Sequence, residues 1–304
     1  VYYIYFGNVA ASDYASTSAY GSRNVWSNGY VVVDHMNDLT TATVLNSAST
    51  TVGAKTSANN PLVSASGKLY SAQDLSADTI QHSGAIIENQ NQYSVSMWFN
   101  ADALTGGNAD EQNFGRPLYG VSAAGSPYQW LRAGSNANPA ELTLCAYDAG
   151  TVCNTSSGAG LTTGAWHYVA MSATKSGATT LRVNGTQRLS FTNTGSGVVS
   201  ANFTIGDLRP GRNINFDGKI DEVRVSNVDR TDAWQDAEYR NTATTTTFYS
   251  AGAVQNSRAR TFTDTNATIL GNFILETGGD AVFPTGILSI GGSFDNNASF
   301  AHSS

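Results

Sequence analysis

The sequence predicts an all-β protein: a two-sheet antiparallel β-sandwich with one short C-terminal helix and strand-rich extensions at both ends. Three observations predict it. Short apolar runs separated by Gly- or Asn-bearing turns recur through the middle of the chain, a density that suits a sandwich rather than strand–helix–strand units. Residues 93–100 alternate with period two, so Val95, Met97 and Phe99 share a face. Helical spacing is convincing only over residues 231–240.

In chain order, residues 1–6 read as a strand with tyrosines at 2, 3 and 5, ending at Gly7-Asn8. Residues 9–28 are small and polar and read as a linker, so residues 1–28 form an N-terminal strand-and-linker segment. The sandwich is expected over residues 29–250, opening with the continuous apolar strand 29–36. Residues 39–66 are a Thr/Ser/Ala/Asn tract without periodicity, expected as a surface loop. Strands then follow at 93–100, 118–121, 128–132, 142–147, 166–173, 180–184 and 203–205. Asn184-Gly185 is a two-residue hairpin turn, since both residue types accept positive φ.

In the helix, Thr231 caps, Asp232 sits in the first turn, and Trp234, Ala237 and Tyr239 or Glu238 recur at helical spacing. Residues 251–304 form a β-rich extension in which stretches 269–275, 281–283 and 287–290 read as successive rungs of a β-solenoid start, or as inter-subunit strands. Such coils are marginal without neighbours.

Composition narrows the function. Of 304 residues 40% are hydrophobic, enough to fill a core, and only 13% are charged, so Ser, Thr, Asn and Gly must cover the surface. A net charge of −7 with four lysines excludes a nucleic-acid footprint and argues against attraction to anionic membranes. No run approaches the roughly 18 apolar residues of a membrane helix, so no membrane insertion is expected in this segment. Val1 follows neither an initiator Met nor a signal peptide, and the chain reads as processed or excised from something longer. Cys145 and Cys153 flank a turn that would set them opposite each other on antiparallel strands. They form either a disulfide of about 2–3 kcal/mol or two buried thiols. A disulfide favours an extracellular compartment. The sequons at Asn154, Asn202 and Asn266 are too common by chance to decide glycosylation.

Two segments carry a family signature. Residues 216–225 read Phe-Asp-Gly-Lys-Ile-Asp-Glu-Val-Arg-Val and lead into the helix. Upstream, residues 164–170 read Gly-Ala-Trp-His-Tyr-Val-Ala, followed by Leu-Arg-Val-Asn-Gly at 181–185. In this order and spacing they resemble the laminin-G-like, concanavalin A-like superfamily of the Laminin_G_3 type, in prokaryotic surface proteins. The resemblance covers about two-thirds of the chain and matches residues 67–75 and 78–80 to the family's second strand region. The pair of segments YYIYFGN and YVVVDHMND is similar to the end of a domain of unknown function that precedes such sandwiches. The resemblance implies a concanavalin-like jelly roll, an extracellular or cell-surface location and a structural calcium ion. A hard cation takes six to eight oxygens, and the matching positions here are Asn37, Asp38 and Asp221. The alternative is that Asp221 faces a nearby backbone turn or Arg224 in a purely structural role. Asp207 and Asp217 are weaker candidates that read as turn residues.

Enzymes that resemble this fold carry both acids on one strand in a Glu-x-Asp-x-Glu-like run, and hydrolysis needs two carboxylates about 5–10 Å apart. The six glutamates here include no such run, and Glu222 is expected on the face opposite Asp221 by strand alternation. No residue is assigned a catalytic role. His35, His82, His167 and His302 lack metal-ligand spacing, and His167 reads as a packing residue. No nucleophile elbow, phosphate loop or dinucleotide fingerprint occurs.

Sugar binding would use Tyr128 and Trp130 as stacking aromatics, helped by Asn136, Asn138 and Asp148; alternatively Trp130 fills the sandwich. Trp98, Trp166 and Trp234 read as core or helix-docking anchors. The leading expectation is a non-enzymatic extracellular structural or adhesive module. Its terminal strands would pair with copies of itself or with other surface-protein domains, giving a filament or lattice by strand addition. A carbohydrate-binding module with glycan partners is the alternative, and a glycoside hydrolase the third reading.

Overall fold

The computed structural model describes residues 12–39, 41–64, 66–76, 78–84, 86–87, 90–106, 115–123, 126–145, 153–193, 202–207, 215–243, 260–261, 265–275, 281–282 and 286–297. The expected strand at residues 1–6 lies outside them. The chain divides into two units, residues 1–248 and 249–304.

Among the described residues of the first unit, the first element is a one-turn helix, α1 (Ser22–Val25), inside the stretch expected as a linker. Strands follow in order: β1 (Tyr30–Asp34), β2 (Thr43–Val44), β3 (Gly53–Lys55), β4 (Leu62–Ser64), β5 (Ala72–Ser76) and β6 (Ile80–His82). The middle of the chain supplies β7 (Gln92–Ala101), β8 (Arg116–Ala123), β9 (Ser126–Ala133), β10 (Leu142–Cys145) and β11 (Cys153–Thr155). Then come β12 (Trp166–Thr174), β13 (Ala178–Val183), β14 (Thr186–Thr192), β15 (Asn202–Ile205), β16 (Asp217–Ser226) and the helix α2 (Asp232–Ala243).

Two antiparallel sheets form the sandwich. One runs β14-β13-β12-β7-β16-β5-β4, with β1 also paired to β16; the other runs β11-β10-β9-β8-β15-β6-β3-β2. Between them Met97, Phe99, Tyr119, Phe203, Phe216, Ile220, Val223 and Val225 are buried in one cluster. Each such side chain removed from water is worth about 1.5–3 kcal/mol. The sheets are also joined by a buried polar link, His82 Nε2 on β6 lying 2.7 Å from Asp34 Oδ2 on β1.

β16 is the pivot of its sheet. One edge pairs with β7 from Gly218↔Ala101 to Ser226↔Ser94. The other edge is divided: β5 takes residues 217–220 and β1 takes residues 223–226. At the division the register against β7 slips between Asp221 and Arg224, and Glu222 adopts φ +51°. This is a β-bulge, two residues opposing one. Val223 thereby recovers the inward position, while Asp221 opposite Trp98 and Arg224 opposite Ser96 both lie on the outer face.

Helix α2 covers that outer face. Thr231 Oγ1 accepts the Trp234 N–H at 3.3 Å, as the capping pattern predicts. Tyr239 packs on Trp98 and Tyr168, and the Trp98 indole N–H donates to Thr242 Oγ1 at 3.0 Å. The Glu238 carboxylate accepts from Tyr30 Oη at 2.5 Å, Tyr168 Oη at 3.0 Å and Ser96 Oγ at 3.2 Å. Burial, with the Glu238 charge beside it, pushes the Tyr30 phenol up to about 12. The helix runs three residues past the expected end because Thr242 is held by Trp98.

Two other expectations need correction. The tract 39–66 is not one surface loop: β2 and β3 join the second sheet and β4 the first. Strands of two or three residues are too short to show alternation, and pairing with β6 and β5 holds them. In the second unit the three apolar stretches are not three rungs. Among the described residues the strands make two rungs, β17 (Arg260–Thr261), β18 (Ala267–Ile269) and β19 (Phe273–Leu275) followed by β20 (Ala281–Val282), β21 (Leu288–Ile290) and β22 (Phe294–Asn296). The pairs β17–β20, β18–β21 and β19–β22 are parallel.

The hairpin turn between β13 and β14 has φ +50° at Asn184 and +79° at Gly185, matching the expected two-residue loop. A Cβ at Gly185 would stand 2.7 Å from the Tyr239 ring, so turn and helix are fitted to each other. Gly185→Ala should cost about 1–3 kcal/mol in urea unfolding, from backbone strain and displacement of Tyr239. An unchanged midpoint would mean that the helix does not seat there.

Candidate functional site

The bulge in β16 creates an unusual electrostatic environment, with a buried carboxyl whose titration is strongly shifted. Asp221 is fully buried, and its Oδ2 accepts the Leu69 N–H at 2.8 Å. Oδ1 is buried and makes no hydrogen bond among the described residues, although the Lys68 and Glu222 N–H groups lie close enough to favour its charge. Burial dominates and pushes this carboxyl up to about 7.

The loop that Asp221 holds spans residues 67–71. Gly67 passes so close to Ser71 that a Cβ would lie 2.3 Å from its backbone. Lys68 Nζ sits 4.4 Å from the centroid of the Trp98 ring, a cation–π contact. Between these anchors Tyr70 takes φ +76° and leaves its side chain 86% exposed. A bulky residue in the left-handed region is strained by about 1–3 kcal/mol, and such strain clusters at functional sites. Tyr70 falls within the stretch 67–75 expected as strand, but β5 begins only at Ala72, which leaves Tyr70 in the loop.

Glu222 does not lie opposite to the other charges of its strand, contrary to strict alternation. Its carboxylate meets His35 Nδ1 at 2.8 Å and Arg224 Nη2 at 2.8 Å. The bulge is the physical reason, since the extra residue breaks the period of two. Burial alone would raise the Glu222 carboxyl, but His35 and Arg224 outweigh it and hold it below the usual value. The hydrogen bond to Glu222 raises the His35 imidazole. Arg224 also reaches Glu238 at 3.4 Å and lies over the Trp26 ring.

Asn37 and Asp38 lie on the turn after β1, where Asn37 is exposed. The Asp38 carboxylate accepts the Leu45 N–H at 3.1 Å. Backbone carbonyls here are taken by N–H donors: Gln73 Nε2 reaches Met36 O and Asp38 O, and the buried Lys55 Nζ reaches Asp38 O and Pro61 O. No contact among the described residues joins this turn to Asp221. No three His, Cys, Asp or Glu side chains among the described residues are grouped to hold a metal ion.

Trp130 is neither an open platform nor part of the main core. It lies on the face of β9 away from Leu131 and Ala133, packed on Cys145 and Cys153, with the Arg132 guanidinium 4.3 Å from its ring centroid. Cys145 and Cys153 form a disulfide. Burial pushes the Arg132 guanidinium down to about 10. Asn136 and Asn138 are exposed on the turn after β9. Tyr128 belongs to β9, but its side chain is outside the described residues, as is Asp148. Of the expected sugar contacts, the described ones are therefore a buried Trp130 and the exposed Asn136 and Asn138. His167 is engaged with Thr162 and Asn184, as a packing residue would be.

The raised Asp221 carboxyl sets a pH dependence. Its folded pKa lies above the ordinary 3.8, so the folded chain holds this proton more tightly. The stabilisation is fully present below about pH 4 and is lost as pH rises through about 7. Asp221→Asn keeps an acceptor for the Leu69 N–H and removes the buried charge. The variant should unfold at higher denaturant than the parent at pH 8, by on the order of 2 kcal/mol, and show no such gain at pH 3.5. Equal stability changes at both pH values would contradict the buried charge.

Comparison with known proteins agrees with this architecture. A search among curated proteins gave no match. Domain 4 of AbnA, a GH43 extracellular arabinanase from Geobacillus stearothermophilus, solved with arabinotriose, is similar at TM-score 0.53 and 20% identity. The match covers 68% of this chain and 96% of that one. The binding domain of Paraclostridial Mosquitocidal Protein 1 is similar at TM-score 0.56 and 10% identity, over 71% of this chain and 53% of that one. A botulinum neurotoxin type C structure, whose cell entry depends on interaction with two ganglioside molecules, is similar at TM-score 0.52 and 10% identity. Here 71% of this chain and 51% of that one are covered. The chain thus spans about half the length of the toxin domains. At these identities the likeness establishes the fold. The Laminin_G_3 family model matches residues 74–235, more than half of the sequence, and the chain belongs to the concanavalin A-like lectin/glucanases superfamily.

Proposed function

We propose that the sandwich is a non-catalytic, extracellular glycan-binding module, with Tyr70 as its stacking residue. The single observation that carries this reading is the loop 67–71, anchored from below by Asp221 and Trp98 while Tyr70 is strained and 86% exposed. A rigid aromatic offers stacking area at low entropic cost, and its hydroxyl can bond a sugar hydroxyl. Fold neighbours solved with arabinotriose, or tied to gangliosides, support the same direction.

A binding rather than hydrolytic role is supported by the commitment of the three glutamates among the described residues and of Asp34. Glu222 is bonded to His35 and Arg224, and Glu238 to Tyr30 and Tyr168. Glu141 accepts from Ser156 Oγ and the Gly158 N–H, and Asp34 faces His82. Glycoside hydrolysis needs two acids open to a substrate. The disulfide supports an oxidising, extracellular setting. No helix among the described residues is long and apolar enough to cross a membrane.

The test is a glycan array probed with the parent chain, Tyr70→Ala and Trp130→Ala, each checked for folding by circular dichroism. Binding that falls at least about tenfold in Tyr70→Ala alone, the loss of one good stacking contact, is the expected result. Loss confined to Trp130→Ala would move the site to the disulfide face, and a blank array would remove the glycan reading.

Calcium, implied by the family resemblance, fits at one point: the buried Asp221 Oδ1 makes no hydrogen bond among the described residues, and a cation would offset its buried charge. Asn37 and Asp38 are the expected companion ligands. Millimolar Ca²⁺ at pH 8 should then raise the Tm of the parent chain and leave that of Asp221→Asn unchanged. No shift in the parent would argue that Lys55 and Gln73 hold the turn in place of a cation.

A further inference from the structure

The register of the first sheet draws a straight line of outward side chains across five strands. Leu62 on β4 lies opposite Asp74 on β5, and Asp74 opposite Lys219 on β16. Lys219 lies opposite Asn100 on β7, and Asn100 opposite Trp166 on β12. Alternation turns these side chains away from the core, in which their chain neighbours Leu75, Ile220 and Phe99 are buried. Adjacent strands stand about 4.8 Å apart, so the line is about 19 Å long.

The line is open where the same face is closed one outward position further along. There Asp221 stands opposite Trp98, with Lys68 over the indole and the Leu69 N–H on the carboxylate. The loop that bears Tyr70 is thus anchored alongside the line. On the line itself Leu62 is 60% exposed, Asn100 and Trp166 are partly exposed, and the Asp74 and Lys219 side chains are 36% and 22% exposed.

Its chemistry alternates. Lys219 Nζ lies 3.6 Å from Asp74 Oδ2, so the two charges offset each other. Asn100 Nδ2 donates to Gly164 O at 3.3 Å, while Oδ1 makes no hydrogen bond among the described residues. Trp166 packs beside Trp98 and Tyr168. An apolar end, an acceptor, a donor, an amide and an aromatic end follow one another with no net charge.

Given the glycan binding proposed above, on which this depends, we propose that the line from Leu62 to Trp166 is the binding track, and that its ligand is a linear, neutral polysaccharide held along several sugar units. Charge complementarity selects this occupant. An acidic polymer would meet Asp74 and a basic one Lys219, and either must open the ion pair. Sugar hydroxyls donate to the carboxylate and accept from the ammonium without disturbing it, and such charge-assisted hydrogen bonds are the strong ones. Trp166 adds a ring against which a sugar face can pack.

A glycan array carrying neutral glucan, xylan and arabinan oligosaccharides of increasing length, with oligogalacturonates of the same lengths, tests this on the parent, Asp74→Ala, Lys219→Ala and Tyr70→Ala. In the parent, affinity for a neutral series should rise at least about tenfold from the monosaccharide to the longer members, the worth of one charge-assisted hydrogen bond. Asp74→Ala and Lys219→Ala should each remove most of that rise. In an NMR titration with the best-bound oligosaccharide, the Trp166 indole and Asn100 side-chain amide signals should shift. A blank array for the parent would overturn the glycan reading and the track together. Binding that is lost in Tyr70→Ala but insensitive to chain length or to both track variants, or unmoved Trp166 and Asn100 signals, would overturn the track and leave Tyr70 standing. A preference for oligogalacturonates would overturn the neutral ligand. Circular dichroism of every variant separates loss of binding from loss of folding, and Asp74→Asn and Lys219→Gln replace any alanine variant that unfolds.

Discussion

The bulge at Glu222 in β16 is the constraint on which the first unit rests. A long central strand must serve three partners, β7 along one edge and β5 then β1 along the other. The inserted residue lets the strand hand over from β5 to β1 while returning Val223 to the core. The same insertion places the charged residues Asp221, Glu222 and Arg224 next to one another away from the core. A strict alternation would have distributed them between core and surface, at a cost of several kcal/mol for any buried unpaired charge. Two separate networks grow from the bulge. Arg224 and Glu222 lead through Glu238 to the helix α2, and Asp221 leads through Leu69 to the exposed Tyr70.

Much of the sandwich was legible because its longer strands obey simple periodicity. β7 and β12 alternate over nine or ten residues, the Asn184-Gly185 turn needs two positive φ values, and Thr231 caps a helix. Strands β2, β3 and β4 were not legible, since two or three residues carry no period and are held by pairing partners distant in sequence. The same limit hid Lys55 and Gln73. Nothing local in a Thr/Ser-rich tract shows that an ammonium will be buried against the carbonyls of Asp38 and Pro61.

At the candidate site the balance was reversed. Asp221 stood out by its place in a family signature, yet its chemistry depends on burial that only the bulge explains. Glu222 was misplaced because alternation is a rule for regular strands, and sites of function are where regularity is broken. Trp130, an attractive stacking residue in one dimension, is covered by a disulfide and an arginine in three. Tyr70 drew no notice in sequence, because exposure and backbone strain are properties of the folded loop. The parallel rungs of the second unit were visible as apolar punctuation, but their 21-residue register emerged only from the pairing.

If the bulged strand truly fixes the Tyr70 loop, the bond from the Leu69 N–H to Asp221 must persist in solution. Amide hydrogen exchange followed by NMR measures that bond directly. The account predicts that the Leu69 amide exchanges as slowly as the strand amides of β7, although its neighbours lie in a loop. Exchange at Leu69 as fast as in an open loop would contradict it, because Asp221 would then hold nothing and Tyr70 would have no fixed base.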